Sequence, residues 1–255
     1  MFRPRVIPIL LLKGKGLVKS VKFKNHRYIG DPINAVRIFN DFKADELVFL
    51  DIIASIEKRT ISLDFVRNVG DEANMPFSVG GGIRSIRNIR DIINCGAEKV
   101  ILNTYAVENP DFIKKASEEF GSTTIVISMD VKNKIFGRRC LKIVDGTKST
   151  VLDPVVFARK MEKFGAGEII INSIDNDGVM KGYDLDLIGK VKDKLNIPMT
   201  VLGGAGALKD IGKAIEKFGI IGCAAGSLFV FKGKYKAVLI NYPSQEKKNS
   251  IINNQ

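Results

Sequence analysis

The stretches Val79-Gly80-Gly81-Gly82-Ile83 and Leu202-Gly203-Gly204-Ala205-Gly206 each end a short apolar run in a cluster of glycines. Leu50-Asp51 and Ile174-Asp175-Asn176-Asp177-Gly178 are a second pair of matching run ends. Two such pairs at similar spacing point to a chain of two related halves. Outward from them, β-branched runs alternate eight times with longer segments of helical period, the pattern of a parallel sheet built from βα units. The runs are 5–12, 46–51, 77–80, 99–103, 124–130, 168–173, 199–203 and 220–225, with helical patterns such as 32–42, 85–95, 111–120, 154–164 and 208–218 between them. Eight repeats predict an α/β fold, a closed (β/α)8 TIM barrel made of two (βα)4 half-barrels. The barrel is expected to be one domain over residues 1–243, followed by a polar tail, 244–255, that frays.

A chain of 255 residues with 45% hydrophobic content can bury one large core, and no Pro/Gly/Ser-rich linker divides it. Its net charge of +12 attracts nucleic acid, anionic membrane or phosphorylated metabolites. The basic residues are spread along helical segments without a nucleic-acid readout motif, which favours solvated helix faces plus a phosphorylated small-molecule ligand. Cys95, Cys140 and Cys223 are odd in number and widely spaced, so neither a disulfide framework nor a metal site is expected. His26, the only histidine, lies in a Lys/Arg/Asn-rich stretch and reads as a surface residue rather than a catalytic base. No apolar run is long enough for a signal sequence or a membrane span, so the expected location is cytoplasmic.

Glycines at the carboxyl ends of barrel strands let the backbone approach a ligand, and N–H groups of the following turn then face an anion. Gly82 with Asn103 and Thr104 in the first half, and Gly178, Gly204, Gly226 and Ser227 in the second, are the candidate phosphate-binding groups. The plainer alternative is that these glycines only shape turns. Asp51, Asp130 and Asp177 also fall at strand ends, where barrel enzymes place their chemistry, although capping of the next helix would explain an aspartate equally well. Asp130 follows an apolar strand into a partly desolvated mouth, which raises its pKa and suits it to acid/base work.

At the other end of the strands, Arg5, Glu46, Lys99 and Glu168 begin runs one, two, four and six. Two positive and two negative side chains converging on the barrel floor neutralise one another, whereas a lone buried charge is costly. Scattered surface salt bridges at strand starts are the alternative from periodicity alone.

The strings DELVFLDI at 45–52, VGGGIR at 79–84, EKVILNT at 98–104, GAGEI at 165–169, DNDGVMKGYD at 175–184 and GGAG at 203–206 resemble the cyclase subunit of imidazole glycerol phosphate synthase, from Arg5 to about Phe231. The resemblance implies a (β/α)8 barrel without cofactor or metal, binding a substrate with two phosphates at its mouth. It further implies a glutaminase (HisH-like) partner on the N-terminal barrel face. Arg5, Glu46, Lys99 and Glu168 then match a gate through which ammonia enters the interior. In the same family the general acid/base pair matches Leu11 and Asp130, and two hydroxyl-bearing positions match Val179 and Leu202. Leucine has no ionisable proton, and a positioned acid or base contributes about 10²- to 10⁴-fold.

The expected function is a HisF-like subunit that docks and activates a glutaminase and channels ammonia to an acceptor in surface-polysaccharide synthesis, an acetamidino sugar handled by a sugar amidotransferase. A cyclase/lyase of histidine biosynthesis working without the first aspartate is the second reading, and a basic nucleic-acid-binding module the third.

Overall fold

The computed structural model describes residues 3–134 and 137–253. Eight parallel strands, β1 Arg5–Lys13, β2 Leu47–Asp51, β3 Phe77–Gly80, β4 Lys99–Leu102, β5 Ile125–Asn133, β6 Glu168–Ser173, β7 Met199–Leu202 and β8 Gly222–Ala225, form the barrel. Each pairs with its sequence neighbours, and β8 returns to β1 in the register Arg5 to Gly222. Closure leaves the barrel strands without an open edge, as the eightfold alternation predicts.

Side chains of a strand alternate between faces, and both faces here are buried. On β6, Ile169 and Ile171 pack outward against the helices, while Ile170 joins Ile7, Ile9, Val48, Ile101, Val126, Leu202 and Ala224 inside the barrel. The interior is therefore layered by period two. Glu168 lies below Ile170 and Asn172 above it, and Lys99 and Ile101 on β4, with Asn103 just past its end, repeat the series. A charged floor, an apolar middle and a polar mouth follow from one alternating pattern.

Helices cover the outside by the same logic of spacing. Pro32–Asp41 buries Pro32, Ala35, Val36 and Phe39 at intervals of three and four, with Asp31 accepting from Asn34 N at 2.9 Å as its N-cap. The half-barrel repeat is visible where two helices begin. Asn88 Oδ1 accepts from the N–H groups of Arg84 and Ser85, and Asp210 Oδ2 from those of Gly206 and Ala207.

Three features depart from expectation. The basic segment after β1 is an antiparallel hairpin, Gly16–Val21 with Lys24–Gly30, that pairs with β1. Past Asp130, β5 continues to Asn133 and pairs with Arg139–Ile143, which turns back through Lys148–Ser149. The third departure is the tail expected to fray, which instead contains the helix Gln245–Asn253. Lys248 on that helix is buried, with Nζ 2.8 Å from Asp45 Oδ1 and 3.2 Å from the carbonyl of Lys43. A buried ammonium held by a carboxylate and a carbonyl ties the helix to the barrel. Among the described residues, no helix is long and apolar enough to cross a membrane.

Candidate active site and barrel floor

At the floor the four charged side chains converge into a closed ring. Arg5 Nη1 meets Glu46 Oε2 at 2.6 Å and Arg5 Nη2 meets Glu168 Oε1 at 2.6 Å. Lys99 Nζ lies 3.0 Å from Glu168 Oε2 and 3.5 Å from Glu46 Oε1. The hydroxyls of Ser78 and Thr200 donate to Glu46 and Glu168, so both carboxylates are saturated with donors. Burial pushes the Glu168 carboxyl up, but Arg5 and Lys99 outweigh it and hold the group below the ordinary carboxylate value. Scattered surface pairs at strand starts do not describe this arrangement, in which Glu46 and Glu168 are each only 6% exposed.

The mouth is a solvent-open cavity of about 1000 Å³. It is walled by the first half's predicted groups Asp51, Gly82, Asn103 and Thr104, by Asp130 and Asp177, and by Leu11. Asp130 accepts from Asn103 Nδ2 at 2.7 Å and from Asn172 Nδ2 at 3.0 Å. Burial raises its pKa to about 7 against the hydrogen bond from Asn172, with the charges of Asp145 and Asp177 adding to the rise and Asn103 opposing it. Such a carboxyl changes protonation state near neutrality, the property a general acid or base needs.

Several predicted ligand groups are already engaged. Asp51 is held by Arg59 at 2.6 Å and accepts from the N–H groups of Ile53 and Ala54, so the loop-capping alternative describes its carboxylate. The Asn103 amide is spent on Asp130, and the Thr104 hydroxyl accepts from Val144 N at 3.0 Å. Gly82 has φ +63°, and an added Cβ would lie 1.7 Å from the Arg59 carbonyl, so this turn requires glycine whatever binds there.

Of the second half's predicted groups Asp177 alone reaches the cavity wall; Gly178, Gly204, Gly226 and Ser227 do not line it, and the unexpected hairpin packs over Gly178 and Gly226. Asp177 is buried in an ion pair with Lys19 at 3.2 Å. An added Cβ on Gly178 would meet the Ser20 carbonyl at 2.3 Å, and one on Gly226 would meet Lys19 Nζ at 3.0 Å. Gly204 is closed over by the Gly182 carbonyl, and Ser227 is buried. The two half-sites, equivalent in sequence, are unequal in the fold.

Sequence reasoning passed over Lys19, Asn172 and Asp145, all of which line the cavity. It also placed His26 at the surface, whereas the ring is half-buried at the cavity rim, its pKa lowered by burial and by the charges of Lys13 and Lys19. The three cysteines are free, and burial pushes the Cys223 thiol up to about 12, which removes it as a nucleophile.

Residues 5–236 match the family model described as "Histidine biosynthesis protein". A Vibrio vulnificus protein provisionally named imidazole glycerol phosphate synthase subunit hisF3 is 48% identical over 254 residues, covering 99% of this chain and 97% of its own length. A Leptospira interrogans protein, provisionally named subunit HisF of the same synthase, is 47% identical over 99% of this chain and 100% of its own length. The imidazole glycerol phosphate synthase subunit HisF of Clostridium botulinum is 41% identical over 96% and 98% of the two chains. With the closed barrel, its charged floor and these similarities together, the chain belongs to the histidine biosynthesis protein family, as a HisF-like barrel of the imidazole glycerol phosphate synthase type.

Proposed function

We propose that this barrel is the ammonia-receiving subunit of a glutamine amidotransferase. A HisH-like glutaminase docks on the N-terminal face, ammonia passes the Arg5–Glu46–Lys99–Glu168 ring, crosses the apolar middle and meets its acceptor beyond the mouth. The observation that carries this reading is the intact floor beneath an altered mouth. All four floor charges pair within 3.5 Å, while the position opposite Asp130 in the family pattern is Leu11. The acceptor is a phosphorylated molecule other than the histidine-pathway substrate, a surface sugar receiving an acetamidino nitrogen through a sugar amidotransferase. The first half's cavity wall supplies the phosphate contacts, and the excess of basic residues assists capture of the anion.

The test follows amide-¹⁵N from glutamine with the glutaminase and the sugar amidotransferase present. Label reaches the sugar only with this chain; transfer that proceeds equally well without it defeats the proposal.

A second reading, a lyase of histidine biosynthesis, is favoured by the intact surroundings of Asp130 and by the names of the clostridial relatives. Ammonia-dependent turnover of the bis-phosphate substrate at a rate that Leu11→Asp scarcely improves selects it over the first.

A further inference from the structure

Asp145 lines the same cavity as Asp130. It is the centre of Val144-Asp145-Gly146, the turn between Arg139–Ile143 and Lys148–Ser149, and the three residues have φ of 54°, 52° and 72°. Left-handed backbone costs a residue with a side chain about 1–2 kcal/mol, most severely a β-branched one such as Val144. The turn persists because it is held from two sides. Thr104 Oγ1 accepts from Val144 N, and the ring of Phe23, at the tip of the other hairpin, lies where a Cβ on Gly146 would be, 2.7 Å from Cδ2. Strain fixed this firmly around one carboxylate is a reason to ask what the carboxylate does.

The charged and titratable groups on the cavity wall with Asp145 are Lys19, His26, Asp51, Arg84, Asp130 and Asp177, and Lys13 at the end of β1 acts on it electrostatically. Burial raises the Asp145 carboxyl to about 6 against the attraction of Lys13. A second, independent feature points to a ligand. Asn172 is 5% exposed, and while its Nδ2 donates to Asp130, its Oδ1 has no hydrogen-bond partner. An unpaired buried acceptor costs about 1–3 kcal/mol, and an entering N–H relieves it.

We propose that Asp145 is the second proton-transfer group of this mouth, in the role for which position 11 offers only leucine, and that Asn172 Oδ1 accepts an N–H of the nitrogen being transferred. This rests on the second reading above, in which the barrel itself adds ammonia to the bis-phosphate substrate in this mouth. When ammonia adds to a C=O or C=N carbon, the N–C bond forms and the π pair moves onto the oxygen or nitrogen, leaving the former ammonia with one proton too many. One of the two carboxylates takes that proton. The other, protonated, delivers one to the developing anion, so the proton count is unchanged across the step.

Two measurements test the pair. In the full chain labelled with ¹³C at aspartate carboxyls, two resonances titrate near 6 and 7, and Asp145→Asn moves the Asp130 midpoint downward. In single-turnover reactions with the bis-phosphate substrate of the histidine-pathway relatives and ammonium chloride, Asp145→Asn lowers the rate by about 10²-fold or more and removes the lower limb of the pH profile. Leu11→Asp added to that variant restores both, and Asp145→Ser reproduces the loss if a donor clash rather than the missing carboxyl is suspected. An Asp145 resonance in the ordinary carboxylate range, or an Asp130 midpoint that ignores Asp145→Asn, overturns the proposal, as does measurable ammonium-driven turnover that is equal in Asp145→Asn and the parent. Failure of the lyase reading has a different signature, no ammonium-driven turnover in the parent while the coupled aspartate titrations are kept.

Discussion

Arg5→Met removes the guanidinium that joins both floor carboxylates. Each contact is 2.6 Å long, and the Glu46 and Glu168 side chains are 8% exposed against 26% for Arg5. Breaking a buried pair by deleting one partner costs about 3–5 kcal/mol, because the other charge is left uncompensated. The quarter-exposed guanidinium and the retained Lys99 reduce the expectation to about 2–4 kcal/mol. The pH dependence is the sharper signature. In the parent, Glu168 titrates below its ordinary value, so its contribution to stability is present above that value and lost as pH falls through the lowered one. In the variant, burial outweighs Lys99 alone, the folded pKa rises above the ordinary value, and stability is lost as pH rises through it. The deficit is therefore largest near about pH 8 and shrinks toward about pH 5. Urea unfolding at several pH values, followed by circular dichroism, measures it, and adding Glu168→Gln recovers part of the loss at high pH. A deficit below about 1 kcal/mol, or one that is flat with pH, refutes a desolvated floor ring.

Asp130 gives a prediction of opposite sign. Its folded pKa is raised to about 7, so the favourable contribution of the protonated form is complete below the ordinary carboxylate value and lost as pH rises through 7. Asp130→Asn, which stays neutral, gains about 2–4 kcal/mol on the parent near about pH 8 and little near about pH 4, readable as a pH-dependent difference in Tm. Lys248→Ala leaves Asp45 without the ammonium at 2.8 Å, costs about 2–4 kcal/mol and opens Gln245–Asn253 to amide exchange. Unchanged exchange in that helix shows that apolar packing of Ile251 and Ile252, not the ion pair, holds it.

The barrel was legible because its strands obey period two with both faces buried. Glu168, Ile170 and Asn172 fall on one side of β6, so the floor charge and the mouth amide are placed by counting alone. The hairpin after β1 was not legible, since the turn Lys22-Phe23 takes positive φ at both residues without the Asn-Gly or Asp-Gly that advertises such a turn, as Asp145-Gly146 does in the other hairpin. With that hairpin went Lys19 and its partner Asp177, two residues distant in sequence whose meeting no local pattern encodes. Asp145 sits in a sequence, Val-Asp-Gly-Thr, that turn chemistry alone accounts for, and only the folded chain shows it facing Asp130's cavity. The tail misled for a simpler reason: its polar composition hides one lysine whose charge is used inward.

The changes at the mouth have a direction. Leu11 and Leu50 pack against the apolar layer that contains Leu202, so leucine at 11 and 202 carries the dry middle of the barrel upward on the β1 and β7 side. The adjoining second half-site is filled by the Lys19–Asp177 pair, in which the two side chains are 6% and 5% exposed. A ligand with a second phosphate has to draw Lys19 away and leave Asp177 buried, and an uncompensated charge there costs several kcal/mol. Asn103, Asp130 and Asn172 line the other side, and the Asp145 turn is fastened to Thr104 there. Polar chemistry is thus concentrated on one flank of the mouth, and a ligand anchored by a single phosphate to the first half lies across Asp130 without disturbing the buried pair.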